Sequence, residues 1–203
     1  MSYSTFSYSE VKNSFNLTAI EDSRVIPDKV LDLEPSSWLL ETLASNVPLA
    51  IAIGTEKAKS ELIIMPVLVE LRKRLKNTIS IFSGTEFNVD PNLGLTGICD
   101  FLISSSSEQI AVEAPILVLV EAKKADLNIG MGQVVAEMLA AQLFNQQQDM
   151  VRGKIYGCIT SGTQWRFLSL EGHQLCIELQ DYSLHPLPSL LGKLLWILTK
   201  NNK

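Results

Sequence analysis

The run PILVLV, residues 115–120, ends in Glu121, Ala122 and Lys123. A short continuous run of leucine and β-branched residues reads as a strand buried on both faces. Residues two apart on a strand point to the same side, so Glu121 and Lys123 project together. A carboxylate and an ammonium at the end of so apolar a strand are costly to bury unless each finds a partner. A second acid, Asp100, stands in GICDFLIS between Cys99 and Phe101, on the preceding predicted strand. Strands joined by a short connection usually pair, which brings Asp100 beside Glu121. Two neighbouring carboxylates repel, and one takes up a proton unless a cation sits between them. Hard oxygen donors with open water positions suit Mg²⁺ or Mn²⁺. Lys123 beside such a cation can orient an attacking water or offset charge building on a phosphate. The competing reading of the same residues is a structural network, with Lys123 paired to Glu121 and Asp100 capping a turn.

The elements that must position these residues follow from the pattern. Residues 1–34 open on the Ser-rich SYSTFSYSE and predict a loose arm with at most a short helix. EPSSWLLETLA predicts a helix start, with Ser36 or Ser37 as the cap and Glu41 reaching back. KAKSELIIMPVLVELRKRLK predicts a long buried helix from about Glu56 to Lys76, kinked at Pro66. Strands are expected over 78–89, 97–104 and 115–123, and a helix over GMGQVVAEMLAAQLFNQQQ. Three further strands (154–161, 164–170, 174–180) and a helix (188–200) complete the chain. This order predicts an α/β sandwich with a mixed central sheet. The expected division is an arm and helix over 1–56, packed on a single domain over 57–203.

Composition narrows the class. With 203 residues, 46% of them hydrophobic, the chain suffices for one cored domain and is short for two. No apolar run is long enough to cross a bilayer, and no leader pattern is evident, so no membrane association is expected. Cys99, Cys158 and Cys176 form no CxxC, which predicts reduced buried thiols in a cytoplasmic protein and no zinc site. The net charge of −5 argues against nonspecific nucleic-acid binding. That charge is concentrated in residues 1–56, with eight acids and three bases, whereas the remainder holds fourteen of each. Bases cluster at Lys57, Lys59, Arg72, Lys73, Arg74 and Lys76, at Lys123 and Lys124, and at Arg152 and Lys154, so a local phosphate-binding patch is possible. Gly130-Met131-Gly132 lacks the third glycine of a dinucleotide loop, and no P-loop is present. His173 and His185 are isolated near predicted turns.

Asp100 in GICDFLI, with Glu121 and Lys123 in LVEAKK, resembles the PD-(D/E)xK nuclease superfamily over roughly residues 57–170. The likeness extends to the N-terminal nuclease domains of type I restriction subunits. It departs at Cys99, where the superfamily motif has proline. The resemblance implies a restriction-endonuclease-like three-layer sandwich with extra C-terminal strands and helix, and a Mg²⁺- or Mn²⁺-dependent endonuclease acting on DNA. It implies that Asp100 and Glu121 bind the metal and that Lys123 serves the attacking water. It further implies a glutamate from the first core helix, with Glu61 favoured over Glu70 because SELII resembles the restriction subunits. A glutamine on the next helix would be Gln133, expected to position the scissile phosphate, with Glu137 on the same helix face. Trp165 and Arg166 are weaker candidates for base or phosphate contact. Members of this fold often cut as homodimers. The alternative is a catalytically silent nuclease-fold module for binding or assembly, its surface formed by Trp38, Trp196 or the helix LLGKLLWIL. Hydrolysis of RNA or a small nucleotide would use the same site chemistry.

Overall fold

The structure is a computed structural model that describes residues 2–21, 24–150 and 153–200. Arg152, part of the basic cluster considered above, lies outside them. Helices α1 (Tyr8–Ser14), α2 (Ser37–Ile53), α3 (Glu56–Lys59), α4 (Met65–Arg74), α5 (Met131–Gln147) and α6 (Leu187–Lys200) flank one sheet. Its strands are β1 (Thr18–Glu21), β2 (Ser80–Glu86), β3 (Ile98–Ser104), β4 (Ile116–Ala122), β5 (Ile155–Thr160), β6 (Gln164–Glu171), β7 (Gln174–Ile177) and β8 (Tyr182–Ser183). The order is β1-β7-β6-β5-β4-β3-β2, with β8 paired to β6. The sheet is mixed: β1–β7 and β4–β5 are parallel, and the other pairs antiparallel. The expected order of helix, three strands, helix and strand is therefore present from residue 56 onward.

Two hydrophobic cores occupy the two faces. Leu39 and Leu43 of α2, Val67 and Leu71 of α4, and Leu191 and Leu194 of α6 pack on one side. Val134, Val135 and Met138 of α5 pack on the other, with Tyr3, Phe6 and Val11 from the N-terminus. Every residue of β4 is buried. Val118 and Val120 face the first core and Leu119 the second, as a continuous apolar run requires.

The N-terminal segment is not a loose arm. A 3₁₀ turn at Tyr3–Thr5 leads into α1, and β1 then pairs along β7. The Tyr3 hydroxyl donates to the carbonyls of Phe87 (2.5 Å) and Leu95 (3.2 Å). A Cβ on Gly132 of α5 would lie 2.1 Å from the Phe6 carbonyl oxygen, so only glycine lets this backbone approach so closely. A few apolar anchors outweigh the serine-rich composition that suggested looseness.

Ser36 caps α2, its hydroxyl accepting from Leu39 N–H. The expected Glu41 does not complete the cap. Glu70, 34 residues away, accepts from Ser36 N–H (3.0 Å) and from its hydroxyl (2.7 Å), and also binds Arg74 (2.9 Å). The long predicted helix runs from Glu56 to Arg74 with a π turn, Ser60–Ile64, between α3 and α4. Pro66 has no N–H and its ring displaces the carbonyl four residues back. That carbonyl, on Leu62, accepts instead from the Asn46 side-chain amide at 2.9 Å.

Candidate functional site

The strand pairing sets the site. Phe101 lies opposite Val120 on antiparallel β3 and β4, so the next step of the ladder sets Asp100 against Glu121, on one face. Asp100 Oδ2 accepts from Ala122 N–H at 2.8 Å. Lys123 Nζ lies 2.5 Å from Glu121 Oε1, and its backbone N–H donates to the Thr160 carbonyl on neighbouring β5 (2.8 Å). Gly130, at the start of α5, fits over this pair: a Cβ there would lie 2.9 Å from Lys123 Cε and 3.3 Å from Glu121 Cγ. From α5, Gln133 Nε2 donates to Glu121 Oε2 (2.9 Å) and to Glu137 Oε1 (3.1 Å). Asp100, Glu121, Lys123 and Gln133, expected together from sequence, are thus together.

The site holds more negative charge than it neutralises. Glu121 is 1% exposed and Glu137 fully buried. Burial, then the charge of Asp100, push the Glu121 carboxyl up to about 8, although Lys123 pulls the other way. Burial, then Glu121, raise Glu137 well above the usual carboxylate range. Burial also raises Asp100, against the hydrogen bond from Ala122 and the charge of Lys123. Burial lowers Lys123, but its hydrogen bond to Glu121 and the surrounding acids outweigh this and favour the ammonium. Three buried or half-buried carboxyls thus act on one ammonium, which is in contact with Glu121 alone.

Glu61, the favoured helix acid, lines a cavity of about 330 Å³ together with Asp100, but its carboxylate pairs with Lys57 at the surface (3.0 Å). Glu56 lines the same cavity, and its charge acts on Asp100, Glu121 and Lys123 alike. Sequence reading passed over Glu56, an acid in the first turn of a helix like many others. Gly84 lies across from Asp100, and a Cβ there would meet nothing within 4 Å, which leaves the cavity open beside the carboxylate. Glu70 belongs to the α2 cap and not to this site.

Several other candidates take structural places. Trp165 is fully buried, its indole N–H donating to the Gly162 carbonyl (3.1 Å), so it offers no face to a base. Arg166 forms a forked pair with Asp181 (2.7 and 3.2 Å) and also binds Asn128. In the basic cluster of α4, Arg72 binds the Ile79 carbonyl and Arg74 pairs with Glu70, while Lys73 covers the Trp38 ring. Lys59 Nζ donates to the Lys124 carbonyl beside the site. Helix α6 turns Leu187, Leu190, Leu191, Leu194 and Leu198 into the core and leaves Leu195 and Trp196 partly buried.

Among the described residues, no three or more His, Cys, Asp or Glu side chains form a ready metal cage, and no helix is long and apolar enough to cross a membrane. A larger cavity of about 670 Å³, walled by Leu40, Leu43, Val47 and Pro186, lacks the paired carboxylates and ammonium. Family models, curated proteins and solved structures give no match to this chain.

Proposed function

We propose that this chain is a divalent-metal-dependent phosphodiesterase that hydrolyses DNA, its sheet and helices being a restriction-endonuclease-like variant of the α/β sandwich. The observation that supports this reading is the opposition of Asp100 and Glu121 on paired strands, with more carboxylate nearby than Lys123 can neutralise. A structural ion pair has no need of the surplus. A hard divalent cation relieves it.

The donors fit Mg²⁺ or Mn²⁺. Both ions bind through one or two carboxylates and fill the remaining positions with water and substrate phosphate, for which the cavity beside Gly84 leaves room. Asp100 and Glu121 would hold the ion, with Glu56 lining the same cavity in the role expected for Glu61; a bound ion would supply Lewis-acid charge at the phosphate. Lys123, held as an ammonium, donates through Nζ to the attacking water or a non-bridging phosphate oxygen. Gln133 holds Glu121 in place.

The test is calorimetric titration of Mn²⁺ and Mg²⁺, followed by incubation with plasmid DNA, single-stranded DNA and RNA. Binding that is lost in Asp100→Ala, together with metal-dependent cleavage of DNA, is the expected result. RNA cleavage alone would move the substrate. Cleavage by Asp100→Ala and Lys123→Ala at the parent rate would refute the assignment.

One observation favours a second reading, an assembly module that does no chemistry. The 17-residue helix α2 carries one charged residue, Glu41, and leaves Leu40, Leu49, Ile51 and Ile53 about half exposed. Apolar side chains left exposed around so weakly charged a helix suit contact with another surface. Self-association in solution with no cleavage of any nucleic acid would favour this module, or a homodimer built on α2.

A further inference from the structure

We infer that Glu137 is a positioning residue: it fixes the Gln133 amide, and through it the Glu121 carboxylate, in the orientation that metal binding uses. The inference rests on the metal-site reading above.

A primary amide nitrogen carries two hydrogens. In Gln133 both are engaged, one by Glu121 Oε2 at 2.9 Å and one by Glu137 Oε1 at 3.1 Å. Two carboxylate acceptors decide which way the amide points, since a flipped amide would set its own oxygen against both. Without Glu137 only Glu121 would hold the amide, and rotation about the last bond would be weakly restrained. With Glu137 the nitrogen is locked inward, and Glu121 Oε2 is occupied from the α5 side. Glu121 then presents its other oxygen toward Lys123 and the side where Asp100 stands.

The second observation is what Glu137 lacks. Its other oxygen, Oε2, is buried with no hydrogen-bond partner among the described residues. The groups acting on it electrostatically, Glu121 and Lys123 from β4 and Asp100 from β3, belong to the site. An apolar side chain of similar size would fill the same space without the desolvation cost. What Glu137 contributes, and an apolar side chain cannot, is the acceptor for Gln133. Removing a group that hydrogen-bonds a metal ligand typically changes metal affinity about 10- to 100-fold, the range expected when Gln133 loses its hold on Glu121.

The experiment uses the full chain and two variants. Glu137→Met removes the acceptor and keeps the volume, and Glu137→Gln keeps an acceptor oxygen. Three readouts are needed: thermal unfolding, hydrogen-exchange protection of the Gln133 side-chain amide by NMR, and Mn²⁺ affinity by calorimetry. Glu137→Met is expected to melt no lower than the parent, to lose amide protection, and to bind Mn²⁺ about 10- to 100-fold more weakly. Glu137→Gln is expected to keep both. If Glu137→Met fails to fold, or melts lower with Mn²⁺ affinity unchanged, Glu137 serves the fold and the inference is overturned. If the parent binds no Mn²⁺, the metal reading fails by itself. The amide then decides: protection lost in the Met variant and kept in the Gln variant sustains the positioning role, and protection kept in both overturns it.

Discussion

Glu70 and Glu121 are equally buried, each 1% exposed, yet they live in opposite electrostatic conditions. Glu70 accepts from the Ser36 backbone and hydroxyl and from Arg74. Burial raises its carboxyl, but these partners outweigh burial and hold it below the usual range. Glu121 has Lys123 and Gln133, but burial, then the charge of Asp100 opposite, outweigh them and its carboxyl is raised. Glu70 is surrounded by donors. Glu121 is left with charge still to be met. Burial alone does not distinguish the two, whereas the list of partners does.

The comparison can be broken most directly at Glu70. Glu70→Ala should cost about 1–3 kcal/mol in urea unfolding, because it leaves the Ser36 N–H and the α2 cap without their acceptor, while Arg74, 37% exposed, stays solvated. Cleavage per folded molecule should not change. Asp100→Asn should do the reverse. It keeps the shape and removes the repulsion, so the urea midpoint should hold or rise while the cleavage rate falls about 100- to 1,000-fold. A variant that loses stability and keeps its rate would place Asp100 with Glu70 in the structural class.

Their pH dependences should oppose each other. Glu70, depressed in the fold, contributes stability above its unfolded pKa near 4.5 and loses it as pH falls. Glu121, raised to about 8, contributes fully below 4.5 and loses that contribution as pH rises through 8. Without added metal, Glu121→Gln should therefore flatten the decline in stability between pH 5 and 8. Chemical denaturation at each pH, on the parent and this variant, checks the slope. The smallest effect is expected at Asn46→Ala, about 1 kcal/mol from the Leu62 carbonyl left without its amide donor, read as a shift in thermal midpoint.

Much of this was legible in the sequence. Asp100, Glu121 and Lys123 stood out because they interrupt apolar strands, and alternation on paired strands suffices to bring them together. The element order from residue 56 follows from hydrophobic period and from turns such as Glu171-Gly172-His173. β1 left no such signal: Thr18–Glu21 is an exposed edge strand whose partner, β7, is over 150 residues away. The ordered N-terminus depends on Tyr3 and Phe6 fitting sites that only the folded sheet and α5 create. Glu137 could be placed on Gln133's face by helical spacing, but its unpartnered oxygen is a property of the packed interior.

The π turn at Ser60–Ile64 has a consequence for heredity as well as geometry. Met65 N–H reaches the Ser60 carbonyl, five residues back, so one more residue is wound into this turn than an α-helix would take. Each α-helical residue advances about 100° around the axis. The turn therefore acts as an angular offset between α3, which carries Glu56, and α4, which is anchored in the core through Val67 and Leu71. Winding the same number of residues as a plain α-helix would leave α4 seated and swing Glu56 about a quarter-turn off the cavity, whereas deleting one residue within 60–64 would let the turn revert to α-helix with both faces kept. In this stretch the angle between α3 and α4, rather than the identity of any residue, is what a lineage must preserve.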